Sequence, residues 1–76
     1  MNIPQIQIIL WNSFENDTHK AGIEITVNEN IVKTYDNHND LALAMAFVEG
    51  YLCALGINTN DYDKEYKIIK VIAEPR

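Results

Sequence analysis

Positive charge is scarce in this sequence: six Lys and Arg residues stand against eleven Asp and Glu, a formal net charge of -5. That balance argues against direct nucleic-acid binding or an anionic membrane, since both carry negative charge themselves, and it favours a protein target with a basic patch. Cysteine is scarcer still. Cys53 is the single thiol, which excludes an internal disulfide, and its place among Tyr51, Leu52 and Ala54 predicts a small buried hydrophobe in a reducing compartment. The three glycines form no phosphate-binding loop, there is no G-x-S-x-G, and no His adjoins the Cys, so an enzyme is not expected. No H-x-x-x-H or C-x-x-C spacing is present, and neither a metal nor a cofactor is expected. The acidic run Asp61, Asp63, Glu65 is not a calcium loop, because Tyr66 stands where the turn glycine belongs and Ile72 where a bidentate Glu belongs. No secretory leader pattern opens the chain, and the longest apolar run is too short and interrupted to cross a bilayer. A cytoplasmic protein is expected.

Apolar content, at 47% over 76 residues, is high enough for one folded domain spanning 1–76. Its longest apolar stretch is Asp40 to Gly56, DLALAMAFVEGYLCALG, which carries one charge between its ends, Glu49. Asp36, Asn37 and Asn39 can cap its start, and Gly56 follows Leu55 as a left-handed terminator, so the stretch predicts a helix with Ile57 folding back on Leu52. At 100° per residue, Leu41, Met45, Val48, Leu52 and Leu55 fall on one stripe with Ala44 beside it, the side expected to meet the core. The other side is apolar as well. Ala42, Ala46, Gly50 and Ala54 form an i, i+4 row of small side chains bordered by Leu43, Phe47 and Tyr51. A helix apolar all round needs cover all round, and a chain this short has little left to supply it. Ala42, Ala46, Phe47, Gly50 and Ala54 are therefore the candidate interface of a homodimer.

Period-2 alternation marks the strands. Ile3 to Trp11 places Ile6, Ile8 and Leu10 on one face, with Ile9 and Trp11 making the other face partly apolar. Asn12 to Lys20 is polar and rich in turn formers, so it reads as a loop with Phe14 its apolar anchor. Ala21 to Asn28 and Ile31 to Tyr35 read as a hairpin closed by Asn28, Glu29 and Asn30, and Tyr66 to Ala73 as a last strand after a polar loop, Asn58 to Glu65. The order β-β-β-α-β defines an α+β fold, one helix packed on a four-stranded mixed sheet. The helix must return the chain so that the last strand runs parallel to the first and third, by a right-handed crossover, and placing the most apolar strands centrally predicts the sheet order 4-1-2-3.

Strand direction sorts the loops to two ends of the sheet. His19, Lys20 and His38 gather at one end, where with Trp11 they are candidates for holding a small anionic ligand near the helix amino terminus. At the other end Asp61, Asp63 and Glu65 surround Tyr62 and Tyr66, the candidate contact for a basic protein patch: Tyr anchors, and carboxylates steer. The sequence thus points to a small non-enzymatic acidic protein that blocks or modulates a larger protein, in the style of compact inhibitors encoded by phages and other mobile elements. The alternative is a homo-oligomer that sequesters a small anionic ligand such as a nucleotide.

Overall fold

The computed structural model describes residues 4–57 and 69–76. Four strands, β1 (Ile6–Glu15), β2 (Thr18–Val27), β3 (Asn30–Tyr35) and β4 (Ile69–Pro75), form one sheet in the order β3-β2-β1-β4, with a single helix α1 (Leu41–Ala54) between β3 and β4 in the chain. The fold is α+β with a mixed sheet: β1–β2 and β2–β3 are antiparallel, and β4 runs parallel to β1. The sheet order is the expected one, and its two central strands, β1 and β2, are those that carry the buried isoleucines. Ile6, Ile8, Ile23 and Ile25 on the inner face pack against Ala44, Val48 and Leu52 of α1 to make the core.

Segment 12–20 is not a loop. β1 and β2 continue through it, pairing Ser13 with Lys20, Phe14 with His19 and Glu15 with Thr18. The turn is confined to Asn16 and Asp17, with φ of 52° and 61°, and such positive values at both central residues belong to the tight hairpin turn that Asn and Asp tolerate. Polarity there reflects strands running past the core into water. The β2–β3 connection is built alike on Asn28 and Glu29, with φ of 51° and 72°. The Asn28 amide N donates to the Gln5 carbonyl at 2.8 Å, and its side-chain oxygen accepts from the Gln5 N at 3.0 Å, tying the start of β1 to this turn. Along edge strand β3 the pairing slips between Ile25 and Thr26, so that Val32 is a bulged residue, a device that discourages further strands from adding to an edge.

A 3-10 turn, His38–Asp40, leads into α1, and it is Asn37 that caps it, its Oδ1 accepting from the Asn39 N at 2.8 Å. The helix ends as expected. Gly56 is left-handed at φ 76°, its N donates to the Cys53 carbonyl, and the Ile57 N donates to the Leu52 carbonyl, both at 2.9 Å, while Ile57 packs on the core. The inward line differs from the predicted stripe. It runs Leu41, Ala44, Val48, Leu52 with Phe47 and Tyr51 as its flank, whereas Met45 and Leu55 are exposed. Apolar residues surround this helix, so the wheel cannot say which arc lies at the centre of the contact. Cys53 is likewise exposed rather than buried.

Candidate functional site

The outward side of α1 carries the interface residues that the spacing picks out. Ala42, Ala46, Gly50 and Ala54 are all exposed, and a Cβ built on Gly50 would meet nothing within 4 Å, so the row is an open channel. Leu43, 58% exposed, and Met45, 47% exposed, stand beside it with Leu55 and Cys53. Phe47 sits at the border, half-buried against the core. Glu49 is the one charge on the whole element. A contiguous apolar patch with so little charge is unusual on the surface of a protein that acts alone.

On the outer face of the sheet, side chains of β1, β2 and the end of the chain cover one another around Trp11. Trp11 on β1 lies opposite Gly22 on β2, and a Cβ added at Gly22 would come within 2.6 Å of the indole ring, so the ring rests where only glycine leaves room. Arg76 stacks over the same ring, its guanidinium carbon 5.4 Å from the centroid, and donates from both terminal nitrogens to the carboxylate of Glu24. Glu74 lies 3.7 Å from the Arg76 Nε. Glu24 is buried, and the paired donation from Arg76 holds its carboxyl below the ordinary value of 4.5 against the opposing effect of burial. The same hydrogen bonds raise Arg76. The arrangement fastens the end of β4, whose register continues as the Arg76 N donates to the Asn12 carbonyl. The only trace of it in the sequence is Glu24, a carboxylate between Ile23 and Ile25 on the alternate face of the strand, and nothing local names Arg76 as its partner.

The candidate ligand residues do not converge. The His38 Nε2–H donates to the Trp11 carbonyl at 2.9 Å, which ties the 3-10 turn to β1. The Trp11 ring lies on the outer face, between Gly22 and Arg76, and so is not an open stacking platform. His19 is one rung from the hairpin tip, hydrogen-bonded to the Asn12 Oδ1 at 3.0 Å with its ring 5.2 Å from that of Phe14, and Lys20 is exposed on the other side of the ribbon. Among the described residues no group of three His, Cys, Asp or Glu side chains could hold a metal ion. Asp61, Tyr62, Asp63, Glu65 and Tyr66, the candidate partner contact, lie outside the described residues. Among the described residues no helix is long and apolar enough to cross a membrane.

Comparison with known proteins adds no assignment: no family model matches the chain, and no curated protein or solved structure is significantly similar to it.

Proposed function

We propose that this chain is a small non-enzymatic acidic protein that dimerises through the outward face of α1 and binds a larger protein with a basic patch, blocking or modulating it. The observation that carries the reading is the exposed apolar side of α1, with its open channel at Gly50 and its single charge. A row of small residues at i, i+4 spacing lets a second helix approach at close range, and the same row on both chains can meet about a two-fold axis with Leu43, Phe47 and Tyr51 along its border. A domain of this length gains from such a contact, since it buries a smaller share of its surface than a larger one. The net charge of -5 remains available to attract a basic partner, and its effect falls mainly on the rate of encounter.

Cys53 offers a direct test, because its thiol is exposed on the single chain and lies one turn from Gly50. Maleimide labelling of Cys53 is expected to slow as protein concentration rises from nanomolar to micromolar, as the second copy covers it. A labelling rate independent of concentration would count against the dimer.

A further inference from the structure

Beyond the Asn12–Ala21 rung the β1–β2 hairpin has no neighbour on either edge among the described residues: β3 stops at Tyr35, opposite Ile23, and β4 at Pro75, opposite Asn12. Among the described residues, 13–20 thus form a two-stranded ribbon with no further strand beside it, and the molecule extends 46 Å along one axis against 19 and 18 Å across. Near its tip stands Phe14, 76% exposed and backed by the His19 ring on the paired strand. Asp17 lies in the turn beyond it, while Glu15 and Lys20 stand on the opposite side of the ribbon from Phe14 and His19.

We infer that this ribbon is the part of the molecule that enters the larger protein: an aromatic finger for an apolar slot whose rim is basic. Phe14 has no part in the core cluster, yet it is a large apolar side chain held near the end of a projecting hairpin. The two-residue turn and the ring contact with His19 restrict where Phe14 can sit, which lessens the freedom lost when it is buried. The carboxylates at the tip decide the occupant. They repel phosphate, which disfavours a nucleic acid or an anionic membrane. They also disfavour the α1 face of a second copy, where Glu49 is the one charge and no cation stands to meet them. A slot ringed by Lys or Arg answers both the ring and the charges.

This rests on the reading of the protein as a protein binder, and not on the dimer. Benzoylphenylalanine is placed in the full chain at Phe14, at Met45 and at Val71, one variant at a time, and irradiated in the cells of origin. Position 14 is expected to crosslink to one distinct larger protein. That protein, purified, is expected to bind Phe14→Ala at least tenfold more weakly than wild type through faster dissociation, with Phe14→Leu between them and the melting temperature of both variants unchanged. Slower association of Glu15→Lys with Asp17→Lys at low salt completes the expected result. Capture of a distinct protein at Met45 or Val71 but not at Phe14 would overturn the finger and leave the binder reading standing. Crosslinks at Phe14 to a second copy alone, or equal affinity of Phe14→Ala, would also overturn it. No second protein captured at any of the three positions would overturn both.

Discussion

Gly22 and Trp11 face each other across β1 and β2, and the indole lies flat against the glycine because no side chain intervenes. Gly22→Ala forces the ring away from Arg76 and is expected to lower stability by about 1 to 3 kcal/mol, as overpacking does, with a shift in Trp11 fluorescence marking the displaced ring. Urea unfolding measures it. Glu24 gives a pH dependence whose sign is fixed by its partner. Its carboxyl titrates lower in the folded chain than in the unfolded one, because Arg76 donates to the ionised form. The stabilisation is therefore complete above the unfolded value and is lost as pH falls through the folded one. Between neutral pH and about pH 3, wild type should lose more of its melting temperature than Glu24→Gln does. Parallel loss in the two proteins would show that the Glu24–Arg76 pair contributes nothing measurable.

At the scale of elements, α1 packs on the core with one side and offers the other to the proposed second copy, and a pair of substitutions separates the two. Leu52→Ala removes a fully buried side chain and is expected to destabilise the domain by about 2 to 5 kcal/mol. Gly50→Glu meets open space on the single chain and replaces a poor helix former, so the isolated domain should be no less stable, while association through α1 should be lost. Thermal melts at low concentration, read beside chain association, distinguish the two. The helix, its Gly56 terminator and the order of the strands were legible in the sequence because each follows from local rules: alternation, a cap, a glycine and the burial of the most apolar strands. The ribbon was not. Its polarity imitates a loop, and the two-residue turn at Asn16 and Asp17 shows itself only when the pairing of Phe14 with His19 is seen. The Glu24–Arg76 clamp joins residues 52 positions apart, so it depends on a register that no local pattern states. The wheel puts Met45 inside and apolar surroundings put Cys53 there, but on a helix with an apolar surface all round neither fixes orientation.

For the whole molecule the account makes α1 a contact between copies and leaves the β1–β2 arm projecting from each, so that a dimer presents two fingers to its target. The proposed contact would be isologous, with the Ala42, Ala46, Gly50, Ala54 row of one chain meeting the same row of the other. Burying that face also ties folding to association, which makes the melting temperature rise with protein concentration. The most direct test is the mass in solution, by light scattering at micromolar concentration on the purified chain with no other protein present. The account predicts twice the 8.7 kDa of one chain for wild type and a return to 8.7 kDa for Gly50→Glu. A wild-type mass of 8.7 kDa would contradict it.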